Sequence, residues 1–216
     1  MKDMRDFINE GEAQGICKRI KAEVDWNLEL SHIAKLNEEA GGPALLFENV
    51  KDYDTPVITS VCTTTQRLAM IMGQPLDSTL VNLYDAWARL GENLLPPKYV
   101  DKADAPCKQN ILTGDDIDLF KFPVPKWYPL DGGRYIGTAH FFISKDPETG
   151  WVNLGTYRAQ LLGKDKIGTQ FIKGKHADIM LKKYQAMGKP KDTRLKSNQQ
   201  ITTLLTSSAI KLTLVI

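Results

Sequence analysis

The stretch FFISKDPETGWVNLGTYRAQ, residues 141–160, decides how the second half of this chain folds. Its two runs of apolar, β-branched and aromatic residues flank DPETG at 146–150, whose Pro and Gly are typical of a turn. The pattern therefore predicts an antiparallel hairpin, with KIGTQF at 166–171 as a third strand. KHADIMLKKYQAMG, at 175–188, has the spacing of a helix that ends at Gly188.

The second strand of this hairpin, predicted over 151–163, carries an amide and a guanidinium that a sheet does not need. Asn153 and Arg158 are five residues apart, so in a regular strand they point to opposite faces. If both serve one site, Gly155 must break the pleat. The alternative is a solvent-facing amide and a solvent-facing Arg, because antiparallel sheets often have one wet face.

The first half of the chain alternates between helical and strand patterns. Asp3 is a suitable cap for the first helix, and Asp77 or Ser78 for the fourth. A segment rich in Pro, Asp and Gly follows at 98–133, with a domain boundary predicted near residue 115. Helices are predicted at 3–14, 25–42, 65–73 and 77–95, and strands at 16–24, 43–50 and 56–65.

Charge and composition exclude several classes of protein. The net charge of +2 is unevenly distributed along the chain. The tail, residues 191–216, has a net charge of +3, and residues 1–190 have a net charge of −1. A near-neutral body lacks the basic face that nucleic-acid binding requires. No run approaches the ~18 apolar residues of a membrane span, and the polar N-terminus does not look like a signal peptide. We therefore expect a cytoplasmic protein with no nucleic-acid or membrane partner.

His176 follows GK at the predicted start of the last helix. Backbone N–H groups at a helix N-terminus, together with Lys173 and Lys175, favour a phosphate. The amide oxygen of Asn153 and a neutral imidazole could share a divalent ion beside such a phosphate. A single histidine is otherwise an ordinary core or surface residue, and the spacing alone leaves both interpretations open.

Two segments resemble one family, the UbiD-like decarboxylases. One lies near the N-terminus and contains GGPALLFENV at 41–50. The other runs from FPVPKWYPLDGG through DPETG and NLGTYR to GKH, at 122–176, and is the more specific of the two. The resemblance extends from about Met4 to Pro190.

This resemblance implies a mixed α/β fold and an enzyme that uses prenylated FMN. Reversible, non-oxidative decarboxylation of an aromatic or α,β-unsaturated carboxylic acid would be its reaction. A divalent metal, usually Mn²⁺, would accompany the cofactor, with K⁺ as a further ion. A flavin prenyltransferase would supply the cofactor, and the full-length enzyme would be a homo-oligomer. The implied domains are an N-terminal α/β domain at 1–115, part of a flavin-reductase-like split β-barrel that binds prenylated FMN at 116–190, and an atypical tail at 191–216.

The resemblance also implies roles for individual residues. Asn153 and His176 match metal ligands that bridge the cofactor phosphate, and Arg158 matches the catalytic arginine that holds the substrate carboxylate. All the residues implied to contact the cofactor are Asn153, Thr156, Tyr157, Arg158, Lys175 and His176.

From residue 191 the sequence departs from the family pattern. The third metal ligand and two catalytic glutamates of the family lie downstream of this point, so we expect a truncated, frame-shifted or split product with negligible activity alone. The alternatives are an inactive binding or assembly subunit and a plain flavin-binding split-barrel protein. ITTLLTSSAI, at 201–210, is uncharged and β-prone. This composition predicts either a segment that promotes aggregation or a strand whose backbone groups are paired within a sheet.

Overall fold

The chain folds into two compact units, Met1–Tyr99 and Val100–Ile216. A computed structural model of the protein describes residues 3–92, 94–96, 100–105, 109–136, 140–188, 193–196, 202–204 and 214–215. Among the helices in these ranges, none combines the length and the apolar composition that a membrane span requires. The units combine helices and strands, which confirms the predicted mixed fold class.

The first unit is a small α/β layer. Its sheet has the order β1-β2-β3, with β2 parallel to β1 and antiparallel to β3. A helix, α2, connects the two parallel strands, as a parallel pair requires. The elements of this unit are α1 (Met4–Ala13), β1 (Cys17–Ile20), α2 (Glu29–Glu39), β2 (Ala44–Phe47), β3 (Val57–Thr59), α3 (Thr65–Ile71) and α4 (Leu80–Glu92).

The capping residue observed in this unit is the predicted one at α1 and a different one at α4. The Asp3 carboxylate accepts hydrogen bonds from the Arg5 and Asp6 amides and begins α1, as predicted. At α4 the Thr79 hydroxyl accepts from the Asn82 amide, so neither Asp77 nor Ser78 fills this role. Thr is nearly as good a cap as Ser or Asp, and residue type alone could not select among three adjacent candidates.

Buried aromatic and aliphatic residues hold the first unit together. Phe47 on β2 and Leu30 on α2 are completely buried in one cluster, with Val50 and Val57 around them. Phe7 of α1 packs in a second cluster. Each side chain of this size stabilises the fold by about 1.5–3 kcal/mol when fully buried.

The second unit is mainly antiparallel β structure. Its larger sheet has six strands in the order β4-β11-β10-β9-β5-β6, and β7 pairs with β8 in a separate ribbon. An α-helix, α5, packs on β5 and β6. The elements are β4 (Ile111–Leu112), β5 (Phe141–Lys145), β6 (Val152–Gly155), β7 (Ala159–Leu161), β8 (Ile167–Thr169), α5 (His176–Ala186), β9 (Thr193–Lys196), β10 (Thr202–Leu204) and β11 (Leu214–Val215).

The predicted hairpin is present, but its second strand is two strands. β5 and β6 pair antiparallel with Ser144 opposite Asn153, and the Asp146 carboxylate accepts from the Glu148 and Thr149 amides to close the turn. The single strand predicted over 151–163 is wrong because the chain leaves the sheet after Gly155 and resumes as β7. The strand ends at Gly155, the residue at which the sequence predicts a break if Asn153 and Arg158 serve one site.

Parts of the tail belong to the same sheet. β9 pairs with β5 so that Leu195 lies opposite Phe142, and β10 and β11 continue the sheet to β4. Residues 202–204 form a strand that pairs with β9. They lie within the stretch predicted either to promote aggregation or to form a paired strand. The rest of that stretch, 201 and 205–210, lies outside the described residues.

Candidate functional site

Asn153 and His176 lie together although 23 residues separate them in the chain. Asn153 is on β6, His176 is the first residue of α5, and the Asn153 Oδ1 and His176 Nδ1 atoms are 3.1 Å apart. Asn153 is buried and His176 is exposed. The Trp151 ring meets the imidazole edge-on, with ring centroids 4.9 Å apart. The fold thus brings together the two residues predicted to bind metal.

The chemistry of this pair fits a divalent cation. The contact pairs the Asn153 amide oxygen, which only accepts, with an imidazole nitrogen that donates or accepts according to its tautomer. The Asn153 Nδ2 atom is buried and has no hydrogen-bond partner among the described residues. A buried N–H donor of this kind is costly unless an acceptor on a ligand or a solvent molecule completes it, which a cation itself cannot do. Among the described residues, no three His, Cys, Asp or Glu side chains form a metal-binding group.

A cavity of about 810 Å³ lies in the second unit. Four of the residues predicted to contact the cofactor line it: Thr156, Tyr157, Arg158 and Lys175. Lys175 is the cap residue of α5 and directly precedes His176 in the chain. Asn153 and His176, the other two residues predicted to contact the cofactor, are not among the residues that line the cavity. Its volume lies in the usual range of cofactor and ligand pockets, ~300–1,000 Å³.

The strand break places three of these residues in the cavity wall. Thr156, Tyr157 and Arg158 form the connection between β6 and β7. A Cβ atom at Gly155 would lie 2.6 Å from the Tyr157 hydroxyl, so this ring position requires glycine. Residues five apart in a regular strand point to opposite faces, so such a break is needed if Asn153 and Arg158 serve the same site.

The Tyr157 ring is held by two other aromatic side chains. Its centroid lies 5.7 Å from that of Phe142 and 5.0 Å from that of Phe171, both edge-on. Edge-on aromatic pairs of this kind contribute ~0.5–1.5 kcal/mol beyond their buried area. Tyr157 is therefore a fixed part of the cavity wall.

The cavity wall carries charges of both signs. Arg158 and Lys175 supply positive charge, and Asp131 supplies a carboxylate that accepts from the Tyr128 amide. At the start of α5, the Gly174 amide donates to Asp178, and the Lys182 ammonium followed by this amide lowers the pKa of the Asp178 carboxyl. One of the backbone amides predicted to bind a phosphate, that of Gly174, is therefore already hydrogen-bonded to Asp178.

Six further residues of the cavity wall were missed by sequence reasoning: Trp127, Tyr128, Asp131, Tyr135, Gln170 and Ile172. Three of them fall in the Pro- and Gly-rich segment predicted to be only an irregular connection. The available signal was two adjacent aromatic residues, Trp127 and Tyr128, in a stretch with no helical or strand period. Aromatic residues outside regular elements often bind ligands, because pockets are rich in them.

Comparison with known families assigns the chain as a whole. Residues 8–87 match the 3-octaprenyl-4-hydroxybenzoate carboxy-lyase N-terminal domain, and residues 98–208 match the Rift-related domain of the same carboxy-lyase. The chain belongs to the UbiD family. The match reaches residue 208, which is beyond the limit near residue 190 that the sequence motifs indicated.

Solved structures of UbiD-class enzymes have the same fold. An evolved dimeric form of HmfF from Pelotomaculum thermopropionicum, in complex with prFMN, is 30% identical over 91% of this chain, with a TM-score of 0.82. HmfF from the same organism in complex with FMN is 31% identical over 94%, with a TM-score of 0.77. The closed form of vanillic acid decarboxylase from Sedimentibacter hydroxybenzoicus is 29% identical over 92%, with a TM-score of 0.85.

This UbiD-family chain spans less than half the length of those enzymes. It covers 44%, 42% and 43% of the three chains, respectively. The fold and family of the spanned part are therefore established by the comparisons, and the activity of the whole enzyme is a separate question.

Proposed function

We propose that this chain supplies the metal-binding and cofactor-binding part of a UbiD-type decarboxylase. The observation that carries the proposal is the 3.1 Å approach of Asn153 Oδ1 to His176 Nδ1. It is supported by a cavity in the same unit whose wall includes Arg158 and Lys175. Asn153 and His176 would hold Mn²⁺, with K⁺ as a further ion. Oxygen and imidazole donors suit such divalent ions.

The cavity would take prenylated FMN. When bound, the cofactor supplies the electron sink for loss of CO₂ from an aromatic or α,β-unsaturated acid. Lys175 would neutralise the cofactor phosphate, and Thr156 and Tyr157 would contact the cofactor along the wall. Arg158 would hold the substrate carboxylate, because its planar guanidinium donates two parallel hydrogen bonds to such a group.

A second function, as an inactive binding or assembly subunit, is favoured by one observation. The described residues hold no group of three acidic, histidine or cysteine ligands. Proton transfer to the product needs a positioned acid, and Arg158 cannot act as one because arginine stays protonated. We propose that no other residue of the cavity wall supplies this acid either, and we expect negligible CO₂ release from this chain alone. A flavin prenyltransferase, homo-oligomeric assembly at full length and a cytoplasmic location stay predictions.

Metal binding tests the proposal most directly. Mn²⁺ is titrated into the full chain with FMN present, and free Mn²⁺ is followed by electron paramagnetic resonance. We expect His176→Ala to weaken Mn²⁺ binding at least ~10-fold, whereas His32→Ala, at an exposed position on α2, serves as the matched control and leaves it unchanged. Equal binding by the wild type and His176→Ala would refute the metal site.

Activity separates the two functions. The full chain is loaded with prenylated FMN and Mn²⁺ and incubated with cinnamic and hydroxybenzoic acids, and CO₂ release is measured. No release with cofactor bound supports the binding-subunit function for this chain. Turnover that Arg158→Met abolishes supports the complete enzyme and contradicts the expected inactivity.

A further inference from the structure

Helix α5 carries His176 at one end, and two other contacts to the hairpin lie about one turn and about two turns further along. Tyr184 donates its hydroxyl hydrogen to the Lys145 carbonyl at 3.0 Å, and the Ser144 hydroxyl lies 3.4 Å from the Met180 sulfur. Ser144 is also the residue paired with Asn153 across the hairpin. The helix is thus fixed to the same two strands that present Asn153.

Lys183 makes the charged contact between this helix and the hairpin turn. Its ammonium lies 2.8 Å from Asp146 Oδ2 and 2.7 Å from Glu148 Oε2. The Asp146 side chain is only 9% exposed, and its other oxygen closes the turn by accepting from the Glu148 and Thr149 amides. One carboxylate therefore joins the turn to the helix.

The surroundings distinguish this ion pair from an ordinary surface bridge. Lys183 is 27% exposed, whereas the neighbouring Lys182 is 57% exposed and pairs with Asp178 on its own helix. An ion pair within one helix stabilises that helix but does not locate it on a sheet. The Lys183 contact spans 37 residues and joins two elements.

We propose that Lys183 is a positioning residue for His176, acting through its bridge to Asp146 and Glu148. The bridge and the Asn153–His176 contact lie at opposite ends of the same helix–hairpin interface, about 10 Å apart along the helix. The bridge at Lys183 resists sliding and rotation of α5 on the hairpin. The His176 imidazole, at the N-terminal end of the helix, therefore stays in contact with Asn153. The inference rests on the proposed function only for its consequence in metal binding.

The test uses the full chain and the side-chain ¹⁵N signals of His176, which report where its ring hydrogen lies. We expect Lys183→Met to shift these signals and to weaken Mn²⁺ binding about 10-fold, as loss of a supporting contact around a metal site typically does. Lys183→Arg, which keeps the charge, should restore both. Lys164→Met, at an exposed lysine of the same unit, is the control and should change neither.

A second variant covers the case in which Lys183→Met fails to fold. The double substitution Asp146→Asn and Glu148→Gln removes both carboxylate charges at nearly constant side-chain size, and the amide oxygen at 146 can still close the turn. It should shift the His176 signals as Lys183→Met does. Unchanged His176 signals in either folded variant would overturn the inference.

The same measurements separate this inference from the proposed function. If the wild type binds no Mn²⁺ but the His176 signals still respond to Lys183→Met, the metal site is wrong and the positioning role of Lys183 stands. If Mn²⁺ binds and the signals do not respond, the metal site stands and the positioning role is wrong.

Discussion

The ring of Tyr157 folds back over Gly155, so close that a single Cβ atom at residue 155 would meet the tyrosine hydroxyl at 2.6 Å. This contact joins the end of β6 to the wall of the cavity. Because Phe142 and Phe171 fix the ring from its other sides, Tyr157 cannot move aside without disturbing the core of the second unit.

Gly155→Ala is therefore expected to lower the free energy of unfolding by about 1–3 kcal/mol, the usual cost of forcing an extra carbon into a packed site. It should also weaken FMN binding, because Tyr157 lines the cavity. Urea denaturation and flavin fluorescence measure the two effects. Gly163→Ala is the control, since its Cβ would meet nothing closer than 3.8 Å. A Gly155→Ala protein as stable as the wild type would show that the ring moves freely.

The Asp146–Lys183 bridge predicts how stability responds to acid. The Lys183 ammonium, followed by the Thr149 amide, lowers the pKa of the Asp146 carboxyl below its ordinary value. The unfolded chain therefore takes up this proton first as the pH falls below ~4. The stabilisation from Asp146 is present above that pH and is lost progressively as the medium becomes more acidic.

Denaturant midpoints of the wild type and Asp146→Asn should differ at pH 7 and converge below pH ~4. Asp165→Asn, at an exposed position of the same unit, is the control and should follow the wild type at every pH. A gap between the wild type and Asp146→Asn that persists unchanged into strong acid would contradict the assigned cause of the pKa shift.

The pairing of β9 with β5 changes what is expected of the tail. Removing residues 191–216 would expose the edge of β5, and an exposed hydrophobic edge promotes aggregation. We expect the shortened chain to give less soluble protein and a lower thermal midpoint. Leu195→Pro should act in the same direction, because it removes a ladder hydrogen bond between two neighbouring strands. Undiminished solubility of the shortened chain would show that this sheet does not need β9.

Trp151 offers an optical measure of the proposed metal site. Its ring lies edge-on to His176, with centroids 4.9 Å apart, so paramagnetic Mn²⁺ bound at the imidazole should quench its fluorescence. Titration of the wild type should show quenching that Trp151→Phe lacks. Trp26→Phe, in the first unit, is the control and should retain it. Equal quenching in Trp151→Phe and the wild type would place the ion elsewhere.

The sequence by itself determined the features that depend on neighbouring residues. Asp3 begins α1, DPETG turns the hairpin and Gly188 ends α5, because caps and turns are set by local backbone and side-chain chemistry. The alternation of side chains along a strand also required a break at Gly155 if Asn153 and Arg158 serve one site. The family motifs predicted the fold class and the candidate site residues.

Only the tertiary structure decided which distant residues meet. The approach of His176 to Asn153, the insertion of β9 beside β5 and the addition of Trp127 and Tyr128 to the cavity wall all join segments far apart in the chain. Such contacts depend on how helix and sheet faces pack, and no local period encodes that packing. The bridge from Lys183 to Asp146 is of the same kind, since nothing in the sequence distinguishes Lys183 from Lys182 until the helix lies on the hairpin.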